Sequence, residues 1–458
     1  MPYNFKSNWE SQNKDELLKL SDGSRIGVIG GGPAGSFFSY FLLDMAERVG
    51  IKLSVDVYEP RDFNQYSPRG CNMCGGIISE TLVQMLATEG INLPPTVVQR
   101  GLESYTLHTD RGTVSIETPL HEKRIAAVHR GMGPRNLREI KWGSFDAYLQ
   151  VLAIEKGANL LQQKVTRVSF SNGLPEIITD GTSGKTYDLT VAATGINSKV
   201  MKSFTELGVG YLPPRSVKTV IREFYLGEEI ISHHFGNAMH IFLLDLPEVE
   251  FAAFIPKGDY VTFCMLGTHI TQQVIDQFME TPEVKNTLPE NMYKDMLSCH
   301  CNPKIAVTAA KNAFADRMVF IGDCGVTRLY KDGIGAAYRT AKAAASTAIF
   351  QGISEEDFKK YFWPACKNLD NDNKIGKLIF MITRINQKVA IARSAMLKMV
   401  AEEQSGKVSG NTMSTVLWDM FTGSASYKEI FLLTLHPLFL FRYLYHIVGS
   451  LVRVKTTH

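Results

Sequence analysis

Arg25-Ile-Gly-Val-Ile-Gly30 is a short apolar run stopped by glycine, the pattern of a buried strand. From Ser36 to Val49, Phe37, Tyr40, Phe41 and Met45 recur at helical spacing and predict a helix. Leu53-Ser-Val-Asp-Val-Tyr58 returns to the strand pattern, so the three segments predict a βαβ unit with parallel strands. Phe145 to Lys156 reads as a second helix, and Asp188 to Ala193 as another buried strand closed by Thr194-Gly195. Arg317-Met-Val-Phe-Ile-Gly322 repeats the strand–glycine pattern, and the Ala-rich stretch Gly335 to Phe350 predicts a helix. Residues 215–270 alternate and are rich in β-branched side chains, which predicts antiparallel strands in a second lobe, with His233-His234 on one of them. Beyond residue 355 the pattern is mainly helical, while residues 1–23 form a polar lead-in. The stretch from about 60 to 80 is crowded with Gly, Pro, Asn and Cys, as functional loops are.

Composition narrows the class. The 458 residues are 45% apolar and 21% charged, an ordinary folded protein of two or three lobes. Lys+Arg 49 against Asp+Glu 46 leaves a net +3, so no strong field favours nucleic acid as a partner. Seven Cys are too sparse for a disulfide scaffold, and their odd number predicts reduced thiols and a cytoplasmic setting. The first twenty residues show no apolar segment behind a basic start, so no secretory signal is expected.

Gly30-Gly31-Gly32-Pro33-Ala34-Gly35 fits G-x-G-x-x-G, follows a strand, opens a helix, and is succeeded by an acid, Glu59, at the end of the next strand. Gly30 permits the tight turn, Gly32 lets a pyrophosphate approach the backbone, and Gly35 lets helix and strand pack closely. The helix N-terminus at Pro33 and Ala34 offers free N–H groups to the phosphates. Glu59 can accept from both ribose hydroxyls and repels a 2′-phosphate. Arg61, beside it, joins the nucleotide-binding set. The fingerprint fits FAD or NAD. FAD is favoured by a second constellation, Gly322-Asp323 at a late strand end and Asp332-Gly333-Ile334-Gly335 opening a long helix. A carboxylate there can bind ribityl hydroxyls, and the second helix N-terminus can stabilise negative charge on a reduced flavin ring.

Together, Gly30–Gly35, Glu59, the strand at 188–195, Gly322-Asp323 and Gly333–Gly335 resemble the FAD-dependent oxidoreductases with a para-hydroxybenzoate-hydroxylase-like fold. Within them the resemblance is to the geranylgeranyl reductase family, related to electron-transfer-flavoprotein:quinone oxidoreductases. Cys74-Gly75-Gly76-Ile77 stands where such reductases carry a Cys-Gly motif. Phe145-Asp146 to Leu149 resembles their Phe-Asp-x-x-Leu helix. Phe251-Ala-Ala-Phe254-Ile-Pro256 resembles the aromatic strand on the substrate side of the flavin. The resemblance covers residues 24–350. Thr194-Gly195 replaces the Asp-Gly of many hydroxylases, Tyr330 stands where Pro is common, and Trp142 stands where Arg often precedes Phe-Asp. Arg138 and Lys141 are then the candidates for the missing flavin-phosphate contact.

The resemblance implies an α/β fold with a Rossmann-like FAD-binding domain (24–200 and 305–350), a β-sheet substrate domain (100–130 and 205–300) and a helical C-terminal extension (355–458). It places Gly75 and Gly76 against the flavin, and Phe251 and Phe254 against the substrate. Cys71-Asn-Met-Cys74 and Cys299-His-Cys301 leave several readings open. In one, Cys74 or Cys71 acts on substrate as a proton donor. In the others Cys71 and Cys74 form a redox disulfide, the four thiols bind metal, or all are buried packing. No metal is assigned.

Residues 374–458 carry 11 Lys/Arg and 4 Asp/Glu, a net +7, leaving −4 on the rest. Within 429–453 the longest uncharged run, Ile430–Phe441, is too short to span a bilayer. This segment is expected either to lie at a membrane surface on the cytoplasmic side or to cap the core. The expected activity is hydride transfer from reduced FAD to a carbon–carbon double bond of an apolar, isoprenoid-like substrate, with NAD(P)H, another reductant or an electron-donor protein as source. The alternatives are a flavin monooxygenase or halogenase, an electron-transfer flavoprotein feeding membrane quinone, and a flavin-binding protein without turnover.

Overall fold

The computed structural model describes residues 18–65, 71, 75–118, 125–134, 142–181, 183–290, 292, 296–408, 410 and 412–456. Strands β1 (Arg25–Ile29) and β2 (Ser54–Tyr58) are exposed only at their first residue, so their apolar runs are buried on both faces, as in a parallel sheet covered by helices. Between them runs helix α1 (Pro33–Val49), started by Pro33, whose ring presets the helical φ, and stopped at Gly50 in the left-handed conformation. The elements that follow are β3 (Ser104–Thr109), β4 (Gly112–Glu117), α2 (Phe145–Glu155), β5 (Asn159–Leu161) and β6 (Leu189–Ala192). Next come β7 (Val220–Tyr225), β8 (Ala238–Phe242), β9 (Val249–Pro256), β10 (Tyr260–Gly267), β11 (Leu297–Cys301), β12 (Phe314–Ala315), β13 (Met318–Phe320) and α3 (Gly333–Phe350). The C-terminal helices are α4 (Trp363–Lys388), α5 (Ala390–Gln404), α6 (Thr412–Thr422), α7 (Tyr427–Thr434) and α8 (Pro437–Thr456).

Two large sheets organise the described residues. The first has the order β12-β13-β6-β1-β2-β5, parallel except for the β12–β13 pair. Helices α1 and α3 cover it side by side, with Phe37 and Phe41 packed edge-on against Tyr338 at 5.7 and 5.4 Å. The second has the order β11-β7-β10-β9-β8-β3-β4, antiparallel except for β8 and β3. One of its faces meets the C-terminal helices through a core that includes Leu107, Ile241, Met399 and Trp418. The other packs Phe224, Phe254 and Phe263 against the helix Gln272–Met279.

The parallel βαβ unit, the late strand–helix pair and the helical C-terminal region stand where the pattern placed them. Within 100–130, residues 104–117 join the large sheet, whereas Ile125–Ala127 is the middle strand of a small one, between Ile77–Ile78 and Arg100–Leu102. One expectation is corrected. His233-His234 does not lie on a strand but ends the helix Glu228–His234 and is exposed. Gly227, at φ 83, opens this turn, and acids at its start with histidines at its end complement the helix dipole.

Candidate active site

The site grows from the turn between β1 and α1. Gly30 has φ +107, and a Cβ there would lie 2.5 Å from the Ala193 carbonyl oxygen. A Cβ on Gly35 would run into the Gly30 carbonyl, so the turn closes only with glycine at both places. The turn is braced from behind. The Gly31 carbonyl accepts from Gln150 Nε2 and Ser36 Oγ, both at 3.0 Å, and the Gly31 amide donates to Glu59 Oε2 at 3.0 Å. The other Glu59 oxygen accepts from the Arg61 amide at 3.1 Å. Burial pushes the Glu59 carboxyl up, opposed by these two amides and the Arg61 charge. Helix α1 has no side-chain cap and no acid in its first turn. Its positive end therefore opens, with Gly30, Gly32, Pro33 and Ala34, onto a cavity of about 430 Å³.

The second wall of the cavity is the turn from β13 to α3, with Gly322, Asp323, Gly333 and Ile334. Asp323 is pushed up by burial, against a hydrogen bond from Thr327 and the charge of Arg130. The residue before α3, Asp332, has φ 49, and Tyr330 has φ 59, so two side-chain-bearing residues hold left-handed conformations within three positions. The surroundings enforce them. Asp332 accepts from Arg328 at 3.0 Å and Arg339 at 2.8 Å, and Tyr330 packs edge-on against Phe380 at 5.0 Å.

Arg130 was not among the residues singled out from sequence. It lines the cavity, and its Nε and Nη2 grip both oxygens of Asp146, each at 3.0 Å. Asp146 is fully buried in the first turn of α2. The signal for it was an acid beside Phe145 on an otherwise apolar helix. Arg138 and Lys141, the candidates named for this role, lie outside the described residues.

The third wall is the large sheet. Register sets Ala253 opposite Cys264, Phe251 opposite Leu266, and Ile221 opposite Cys264, and all of them line the cavity. Phe251 stacks on Phe380 at 6.3 Å and meets Phe421 at 5.2 Å. Phe254 is corrected: it is fully buried on the opposite face, 4.8 Å from Phe263, because residues three apart on a strand point to opposite sides.

Cys74 lies outside the described residues. Cys71 is half-buried, its carbonyl accepting from Arg61 Nη1 at 3.3 Å. Cys301 lies opposite Ile221, and its thiol is pushed up to about 12 by burial and then by the charge of Cys71. Gly75 and Gly76 line the cavity, and a Cβ on Gly75 would sit 3.2 Å from Cys264 Sγ. Gly76, at φ +71, has no room for a Cβ because of the Val128 carbonyl. Beneath it lies the fully buried Lys257, whose Nζ is 3.5 Å from His129 Nδ1. Cys324 donates its S–H to the Ala192 and Ile321 carbonyls and is packed in the core. Among the described residues no group of three or more His, Cys, Asp or Glu could hold a metal.

The cradle fits an extended dinucleotide. Two helix ends without a side-chain cap, the half-buried Arg130 and two strand-end carboxylates open on one cavity that no side chain of the chain fills.

No family model matches the chain, and no relative is found among curated proteins. Solved structures share its fold. A geranylgeranyl bacteriochlorophyll reductase-like protein from Thermoplasma acidophilum superposes with TM-score 0.57 at 16% identity, covering 91% of this chain and 97% of its own. The halogenase PltM gives 0.56 at 11%, covering 95% and 93%, and has also been solved in complex with FAD. A flavoprotein/dehydrogenase from Cytophaga hutchinsonii gives 0.55 at 13%, covering 90% and 99%.

Proposed function

We propose that this chain, which has the fold of FAD-dependent oxidoreductases, binds FAD and reduces a carbon–carbon double bond of an apolar, isoprenoid-like substrate. The observation that carries the reading is the single cavity. It runs from the α1 glycine turn, past Asp323 and the start of α3, to the sheet wall of Ile221, Met239, Phe251, Ala253, Ile255 and Leu266. A dinucleotide held at the first two walls leaves an apolar surface beside its far end.

Glu59 is placed to accept from ribose hydroxyls, and the α1 N-terminus with Arg130 to hold the diphosphate. Asp323 is placed for the ribityl chain, and the α3 N-terminus for charge on the ring. FAD supplies two-electron hydride chemistry when bound. The chain's own work is to place the substrate at near-attack distance, to exclude water, and to supply a proton. Phe251, clamped between Phe380 and Phe421, keeps the apolar wall dry and rigid. The thiol-bearing loop from Cys71 to Cys74 and water are the candidate proton sources, and NAD(P)H or an electron-donor protein the reductant.

The test is reconstitution. Loaded with FAD, reduced without oxygen and mixed with a polyprenyl alkene, the protein should reoxidise as the alkene gains two mass units. Failure to bind FAD would overturn the reading, as would rapid oxygen consumption with an oxygenated product, which would mark an oxygenase.

A further inference from the structure

Helix α8 turns polar groups inward beside Phe439 and Tyr443, which reach the core: Arg442 pairs with Glu403 at 3.1 Å, His446 with Glu402 at 3.2 Å, and Ser450 accepts from Lys398 at 3.0 Å. Its outward face carries Leu438, Phe441, Leu444, Tyr445, Val448 and Leu451 at helical spacing, with Phe441 70% and Tyr445 67% exposed. A surface helix in contact with water has the reverse arrangement.

The stripe does not stand alone. The outward face of α4 carries Leu378, Met381, Ile382 and Ile385, and Val389 follows its end, all exposed. Tyr443 donates to Asn386 Oδ1 at 3.2 Å, which joins α8 to α4 between the two stripes. Leu432 and Leu435 extend the surface through α7. So large an apolar face on a chain of ordinary composition marks an interaction site.

Charge identifies the occupant. Residues 374–458 carry a net +7. Their acids are engaged within the fold: Glu402 and Glu403 as above, Glu429 in the cap at Ser426, and Asp419 against Lys331. Lys377, Lys388 and Lys428 are exposed on α4 and α7. Among the described residues no single helix is long and apolar enough to cross a membrane, and α7 and α8 meet at 64°. We propose that the outward faces of α4, α7 and α8 lie in the headgroup–acyl boundary of a bilayer that contains anionic lipid. This does not rest on the flavin reading, because none of α4, α7 and α8 lines the cavity.

The experiment is flotation of the full chain with phosphatidylcholine vesicles, with and without phosphatidylglycerol, at low and high salt. Binding should require the anionic lipid and weaken with salt. Phe441→Ser with Leu444→Ser should cut the bound fraction by about tenfold or more while leaving the thermal melt unchanged. Met381→Ser with Ile385→Ser should do the same from the other helix. No flotation on anionic vesicles at low salt, or undiminished binding by both variants, would overturn the proposal. So would light scattering that shows a dimer which the variants split, since the covering partner would then be a second copy.

Discussion

At the scale of single residues, what was legible was whatever the backbone turn alone dictates. Gly30, Glu59 and Asp323 line one cavity, and Gly35 stands behind it where the turn closes on the Gly30 carbonyl. Arg130 was not legible, because its place is set by a partner sixteen positions on in the chain, Asp146. If Arg130 holds the diphosphate, Arg130→Gln should weaken FAD affinity by about 10- to 100-fold, the worth of one charged hydrogen bond. A fluorescence titration giving unchanged affinity would remove it from the site. Phe251 and Phe254 teach a different lesson, since parity already forbade both from facing one cavity. Phe254→Ala should cost about 3–5 kcal/mol of stability, because it empties a packed core position. Phe251→Ala should cost far less and instead raise KM for an apolar substrate. Equal losses in urea melts would contradict this assignment of faces.

At the scale of elements, the parallel sheet was readable because its strands are short uniform runs between glycines. The large sheet was readable as strands but not as faces, since both sides are apolar and only register separates the cavity wall from the aromatic core. Inside this sheet His108 Nε2 lies 3.0 Å from His240 Nδ1. Burial holds His108 down at about 3 and His240 at about 4, and lowers His129 as well. The unfolded chain takes up protons on these side chains below pH ~6.5, whereas the folded chain does not until about pH 4. Stability therefore falls as pH drops through that window, by up to about 1.4 kcal/mol per pH unit for each histidine. Glu59, Glu223 and Asp323, raised by burial, act oppositely, their contribution declining as pH rises above the ordinary carboxylate range. Asp419, raised by burial to about 6, acts with these carboxyls. Between pH 7 and pH 5, urea melts should show the native chain losing more stability than the His108→Asn with His240→Asn variant does. An identical pH slope in that variant would refute the assignment.

At the scale of the whole molecule, the C-terminal helices do more than cover the sheet: they hold the turn from β13 to α3 in its strained shape. Arg328 donates to the Gly423 and Ala425 carbonyls at 3.1 and 3.0 Å, and Lys331 to the Asp419 and Ala425 carbonyls at 2.9 and 3.1 Å. Asn373 on α4 takes the Leu329 amide at 2.8 Å and donates to the Thr327 carbonyl at 2.7 Å. None of this was visible in the sequence, because each bond joins segments some 45 to 100 residues apart whose own patterns read as loop and helix. The strain at Tyr330 and Asp332 thus depends on a region that contributes only Phe421 and Thr422 to the cavity wall. Asn373→Leu tests this dependence without altering any cavity-lining side chain. It leaves a buried amide and a buried carbonyl unpaired, each worth about 1–3 kcal/mol, so the turn should relax from its left-handed residues. FAD affinity should then drop by tenfold or more while urea stability falls by only a few kcal/mol. Full FAD affinity in a folded Asn373→Leu protein would show that the glycine cradle holds the cofactor unaided, and that the helical extension serves only the outer surface.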